Sequence, residues 1–225
     1  MLKFARLGCA AARAAILPLP VAFLLLFLLA GSVIAAGTAS GARQCVTDIG
    51  LAVDRADAAA FERLVDVDTI LAAALDIFVQ RARDPRVAEE LPPMLAILFA
   101  QAAPGEQGNA TVRAVLLSES RAFVMNGISS GAFAGRRVEG RAAQGVLAPL
   151  FADASTGRKE VRQVGEARAK NGDWLVPFTV YDHGNGENYR VTGRVRFNDG
   201  KARLVAVENL DALMGQVADE SRSMQ

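Results

Sequence analysis

One histidine, one tryptophan, two tyrosines and two cysteines are all that 225 residues offer of several side chains that often carry chemistry. Cys9 lies before, and Cys45 after, a long uncharged stretch, so no disulfide can form within the part of the chain beyond that stretch. One His and one Cys cannot close a zinc site, and no metal is expected. An excess of one charge is also missing: Lys and Arg total 25 against 24 Asp and Glu. That balance argues against a nucleic-acid partner, because phosphate recognition needs a basic face. Two absences are local. No acid precedes Asp48, and no charge of either sign occurs from Ala14 to Ala42.

Within that uncharged stretch is the run VAFLLLFLLAGSVIAAG, with Lys3, Arg6 and Arg13 ahead of it. About 20 apolar residues span the hydrocarbon layer, and positive charge stays on the cytoplasmic side. Residues 1–42 read as a signal anchor with a transmembrane helix over about 16–36, and residues 43–225 as one exported domain. The chain is expected in the inner, cytoplasmic membrane as a single pass, with the domain in the periplasm or outside. The alternative is a secreted protein whose signal peptide is cleaved after Val33-Ile34-Ala35 or Gly37-Thr38-Ala39. Taking away Lys3, Arg6 and Arg13 leaves 22 basic residues against 24 acidic ones. Their distribution is uneven: residues 41–104 hold six Arg and ten acids, and residues 157–203 hold ten bases and six acids. A dipolar domain is implied.

The fold class read from periodicity is α+β. From Val46 to Phe151 apolar residues recur at helical spacing. Phe61, Leu64, Ile70, Leu71, Leu75 and Phe78 mark two or three helices, with Asp57 and Asp66 or Asp68 as caps. Pro85 is expected to end that part, and Pro93 to open a short helix that is apolar all round and hence buried. A helix with Val112, Val115, Leu116 and Phe123 on one side follows. Gly127 to Gly140 has turn composition and reads as a loop or lid, and residues 141–153 as one more short helix. Beyond Gly157 the period becomes two. Stretches 161–170, 174–182, 189–198 and 201–209 are separated by NGD, HGNGE and NDG, which makes an antiparallel meander of four strands. A last helix starts near Asn209 or Asp211. The helical layer, 46–151, should pack on one face of the sheet, 161–209.

The opening LAVDRADAAAFERLVDVDTIL resembles that of small α+β cones, the nuclear-transport-factor-2-like and SnoaL-like superfamily, in which a helix bends over a curved sheet. Together with RLVAVENLDALM near the C-terminus it is more narrowly similar to a bacterial envelope family, domain of unknown function 2939. The resemblance implies a membrane-tethered domain of helices and sheet and implies no activity.

Catalytic readings find little to stand on. His183 in DHGNGEN is either a general base oriented by Asp182 or a plain residue of a hairpin tip, and no nucleophile motif accompanies it. Cys45 reads as an inert thiol. Asp66 and Asp68 resemble the start of a calcium loop but lack its Gly and Glu, so capping explains them. Glu166, Asp173, Glu187 and Glu208 lie on or near strands, yet nothing places two of them on one inner face. The glycine runs lack the context of a phosphate cradle, and no cofactor is expected. The binding candidates are the apolar set Trp174, Val176, Phe178, Tyr189, Val191 and Phe197, which either lines a ligand cavity or is filled by helices, and the arginine ladder Arg190, Arg194 and Arg196 on the other face. A rim over 127–140 adds Phe133, Arg136 and Arg137, so the candidate ligand-binding residues are Phe133, Arg136, Arg137, Trp174 and Phe178. The expected role is a non-enzymatic, membrane-tethered envelope module that binds an apolar small molecule or an envelope protein. The alternative is a SnoaL-like enzyme that uses an inner carboxylate on a small apolar substrate.

Overall fold

The computed structural model describes residues 37–103, 108–138, 145–147 and 157–223. The expected transmembrane helix over 16–36 and the short helix over 141–153, apart from 145–147, lie outside them. Among the described residues no helix is long and apolar enough to cross a membrane.

Three helices open the domain: α1 (Ala39–Asp54), α2 (Ala58–Leu64) and α3 (Val67–Arg81). Each starts where a short polar side chain takes up a first-turn amide that has no partner in the helix. Thr38 Oγ1 accepts from the Gly41 amide at 3.0 Å, Asp57 from Ala60 at 2.8 Å, and Asp66 from Thr69 at 3.4 Å. Asp66, and not Asp68, is therefore the cap of α3. Pro85 does not end a helix but begins one, α4 (Pro85–Glu90), with Asp84 as its cap. Then come α5 (Pro93–Gln101) and α6 (Ala110–Ser129). α6 runs through Gly127, which corrects the expected loop. Phe133, on the 3-10 turn Ala132–Ala134, lays its ring where a Cβ on Gly127 would sit, so a side chain there would collide with it.

The sheet is curled and antiparallel, a half-barrel, and has five strands where four were expected. The stretch 161–170 divides into β1 (Lys159–Arg162) and β2 (Arg168–Lys170), which pair with opposite ends of β3 (Asp173–Asp182). The gap between them faces Pro177, whose ring removes the amide a continuous neighbour would need. Its carbonyl is satisfied by the Gly165 amide at 2.8 Å. β4 (Asn188–Asn198) and β5 (Lys201–Val207) complete the order β1-β3-β4-β5. Asn171-Gly172 and Asp199-Gly200 all have positive φ, the two-residue turns that NG and DG favour. The chain ends in α7 (Leu210–Ser223). Asn209, just ahead of it, continues the edge of β5: its side chain accepts from the Thr192 amide at 2.8 Å and donates to the Arg190 carbonyl at 2.7 Å.

Two apolar clusters hold these elements. One lies between α1 and the concave face of the sheet: Ala42, Cys45, Val46 and Ile49 meet Val176, Phe178, Val191, Val195 and Leu204, with Val65 and Val67 at the side. The other joins Leu75 and Val79 of α3 to Leu95 and Phe99 of α5, Leu116 of α6, and Leu147. Glu119 holds the last of these in place by accepting from the amides of Val146 and Leu147 at 3.2 and 2.9 Å. α5 is not buried all round as its composition suggests: Leu95 and Phe99 face the cluster, while Met94 and Ile97 are 65% and 59% exposed.

Leu204 joins the sheet to the helices. Its carbonyl accepts from the Asp66 amide at 2.8 Å, and its side chain lies over Gly193, leaving no room for a Cβ there. Leu204→Ala is expected to cost about 2–5 kcal/mol, the range for a truncated buried leucine, in urea unfolding followed by Trp174 emission. A loss below about 1 kcal/mol would show that this junction is not part of the core.

Candidate binding surfaces

β3 and β4 point Val176, Phe178, Val191 and Val195 to the concave side, as their alternation predicts. α1 fills that side. Val46, Val176 and Val195 have no exposed surface, and Phe178 is buried. Trp174, partly buried near the end of the sheet, donates its indole N–H to the Gly37 carbonyl at 3.1 Å. The aromatic interior is a packed wall. Cys45 belongs to it: burial, with Asp48 adding to the effect, pushes its thiol up to about 11, so it is protonated and inert at neutral pH.

The other binding candidates lie elsewhere. Phe133 is half-buried and meets Phe123 edge-on, with ring centroids 5.9 Å apart. Lys159 Nζ is 6.0 Å from its centroid, and Lys159 pairs with Asp182 at the last position of β3. Trp174 stands eight positions earlier on that strand, about 26 Å away at 3.3 Å per residue. Arg136 and Arg137 are exposed beside Phe133. Trp174 and Phe178 thus share the concave core, and Phe133, Arg136 and Arg137 lie toward the other end of the sheet. The structure does not bring the five together.

The convex face carries the polar chemistry. Asp182 does not orient His183: its carboxylate takes Lys159 Nζ at 2.6 Å and the Gly184 amide at 2.8 Å. His183 Nε2 instead meets Glu160 Oε2 at 2.8 Å, with its ring edge-on to Tyr181 at 4.7 Å. Arg162 donates to the same Glu160 oxygen at 2.6 Å and lies 4.0 Å over the Tyr181 ring. Arg162 above all, then His183, brings the Glu160 carboxyl down to about 2. The group ties strand β1 to the β3–β4 hairpin. Its partners are 23 residues apart in sequence, and the one signal for it was the outward register of Glu160 and Arg162 on β1. The arginine ladder is largely neutralised within its own face. Arg196 forms a fork with Asp173, both bonds 2.9 Å, and Arg194 shares Glu208 with Lys170. Glu166 pairs with Arg43.

Glu220, like Glu160, is not among the carboxylates that the sequence singles out. Glu220 on α7 accepts from the Tyr189 hydroxyl at 2.5 Å, and burial together with that bond pushes the phenol up to about 12. Asn185 donates to the same hydroxyl at 2.8 Å. An open groove of about 570 Å³ runs along α7 past Gly215, Gln216, Asp219 and Glu220. Among the described residues no group of three His, Cys, Asp or Glu side chains is placed to hold a metal ion. Compared with protein-family models, curated proteins and solved structures, the chain matches none of them.

Glu160, Asp173 and Glu208 all have carboxyls held below their ordinary values by the cations beside them. Each is ionised in the fold at a pH where it would take up a proton if unfolded. Their stabilisation is present above the unfolded value and is lost as pH falls through the folded one. Stability should therefore fall between pH 4.5, the ordinary value for Glu160, and about 2. Glu160→Gln should flatten part of that fall in acid titrations followed by circular dichroism; an unchanged curve would mean that the Arg162–Glu160–His183 group does not form in solution.

Proposed function

We propose that this chain is an extracytoplasmic module tethered to the cytoplasmic membrane by its N-terminal segment, and that it works by binding a protein partner. The filled trough of the sheet carries the second half of this reading. A cone enzyme of the SnoaL-like kind needs that face open around a titratable group. Here α1 occupies it, and Asp173 and Glu208 are ion-paired on the opposite face. A partner has somewhere else to bind. Met94 and Ile97, three residues apart on α5, share an exposed side, and clustered exposed apolar groups mark contact surfaces.

The tether rests on the uncharged stretch and the basic residues ahead of it. Two contacts support retention of the segment around Gly37: Thr38 caps α1 and the Gly37 carbonyl accepts from Trp174. Cleavage after Ala39 would remove both; cleavage after Ala35 would leave both in place. The resemblance to the envelope family belongs to the same proposal, since it implies a membrane-tethered domain of helices and sheet.

β-Lactamase fused after Gln225 is expected to protect plated cells from ampicillin; a fusion active only with a cytoplasmic reporter would overturn the orientation. For the partner, a benzophenone amino acid introduced at Ile97 should give a discrete higher-mass adduct in irradiated cells, and the same residue at exposed Arg190 should not. If Ile97 gives no adduct, α5 is not the contact.

A further inference from the structure

Three Asn–Gly steps occur in the chain: Asn126–Gly127, Asn171–Gly172 and Asn185–Gly186. Asparagine is chemically labile, and most so before glycine, which has no side chain to keep its own nitrogen away from the neighbouring amide. Deamidation makes two demands on a fold. The Asn side chain must be free to turn toward the main chain, and the glycine nitrogen must be free to lose its proton and approach Asn Cγ. The three sites share one sequence step and differ in how the fold meets these demands.

Two of them are held. Gly127 lies within α6, where its amide belongs to the helical ladder, and the Phe133 ring covers it. The Asn126 carbonyl ahead of it accepts from the Ser130 amide at 3.0 Å and the Ser130 hydroxyl at 2.6 Å. At the tip of the β3–β4 hairpin, Asn185 uses both ends of its side chain, donating to the Tyr189 hydroxyl at 2.8 Å and accepting from the Glu187 amide at 3.0 Å. The Gly186 amide donates to the Asp182 carbonyl at 2.8 Å.

Asn171–Gly172, the turn between β2 and β3, lacks all of these restraints. Asn171 is exposed, and among the described residues neither its side chain nor the Gly172 amide has a hydrogen-bond partner. Both residues have positive φ, +52° and +84°, and a Cβ on Gly172 would meet nothing within 4 Å. One arm of the turn is β2, three residues long and exposed throughout. The Lys170–Glu208 ion pair at its end is partly exposed and weak. Such an edge opens locally at small cost, which lets the Gly172 nitrogen reach Asn171 Cγ.

We propose that Asn171 is a modification site, deamidating in the folded protein ahead of Asn126 and Asn185, and that its isoaspartyl product releases β2 from β3. The Gly172 nitrogen, deprotonated by hydroxide, attacks Asn171 Cγ; the bond from Cγ to the side-chain nitrogen breaks, ammonia leaves, and a cyclic succinimide remains. Water then opens the ring, and nothing is oxidised or reduced. Opening at the side-chain carbonyl leaves an aspartyl residue, and opening at the main-chain carbonyl leaves an isoaspartyl one, whose backbone runs through Cβ. The extra backbone atom moves Lys170 and Asp173 out of register in a turn that has room for two residues only. Neither the tether nor the protein partner proposed above enters this inference.

The full-length protein is incubated in detergent at mildly alkaline pH, digested with pepsin in acid to stop the reaction, and mapped by fragment mass spectrometry. Conversion at Asn171 is expected to exceed that at Asn126 or Asn185 by about tenfold or more, the factor imposed by the one or two further hydrogen bonds that must open at those sites. In concentrated urea the three should convert at similar rates, since each precedes glycine. Conversion at Asn171 no faster than at the other two, or a lead that persists unchanged in urea, overturns the site. Deamidated protein, separated by anion exchange, should show faster hydrogen exchange over residues 168–175 than fresh protein, and Asn171→Asp, which adds the charge without the extra backbone atom, should not. Equal exchange in deamidated and fresh protein, or equally fast exchange in Asn171→Asp, overturns the release of β2 by the isoaspartyl linkage.

Discussion

The packing of α1 along the trough of the curled sheet is the contact on which the other elements depend. Four α1 residues, Ala42, Cys45, Val46 and Ile49, meet the concave side chains of β3, β4 and β5. Close approach is obtained by leaving atoms out. Gly50 lies against Val161 of β1 so tightly that a Cβ would come within 2.9 Å of it. A curled sheet exposes a concave apolar face that must be covered, and one helix of this length covers it. The remaining helices flank it: Phe61 and Leu64 of α2, Ile70 and Leu71 of α3 and Leu213 of α7 pack against the same cluster, Val65 pairs with Leu204 at the β5 edge, and α5 and α6 build a second cluster with α3.

Much of the architecture could be read from the sequence because the relevant signals are local. The NG and DG turns, the two-residue alternation of β3 and β4, and the aspartate caps of α2 and α3 each need only a few neighbouring residues, and each appears where it was expected. What was missed depends on distant partners. β1 and β2 read as one strand because composition does not show that Pro177, across the gap, cannot support a continuous neighbour. Gly127 read as a loop because the Phe133 ring that occupies the space above it is six residues further on. α5 read as buried because hydropathy does not show on how many sides a helix has neighbours.

The binding residues were less legible than the fold for the same reason. Trp174 and Phe178 were placed on one strand face correctly, since two-residue periodicity decides that. Whether that face is a cavity or a core depends on a helix more than a hundred residues earlier in the chain, and α1 makes it a core. His183 was offered Asp182, its neighbour in sequence. A strand sends adjacent side chains to opposite faces, so Asp182 turns toward Lys159, and the carboxylate on the histidine's own side is Glu160 of the adjacent strand.

The uneven distribution of charge finds a structural use where a dipolar domain was expected. The acid-rich helical part and the base-rich strand part meet through Arg158 with Asp54, Arg203 with Asp66, and, in the reverse sense, Arg43 with Glu166. Within the helical part Arg121 bridges Glu62 and Asp68, and Arg81 reaches Asp211 on α7. These pairs are partly exposed, and each contributes little to stability, typically under about 1 kcal/mol. Their effect is on specificity: a helix docked in the wrong register would set like charges against each other. Charge used in this way inside the domain does not form a field of one sign outside it. For the protein partner proposed above, that leaves shape and apolar contact in place of long-range attraction, which is the kind of surface that α5 presents and the convex face, with its carboxylates already held by arginine and lysine, does not.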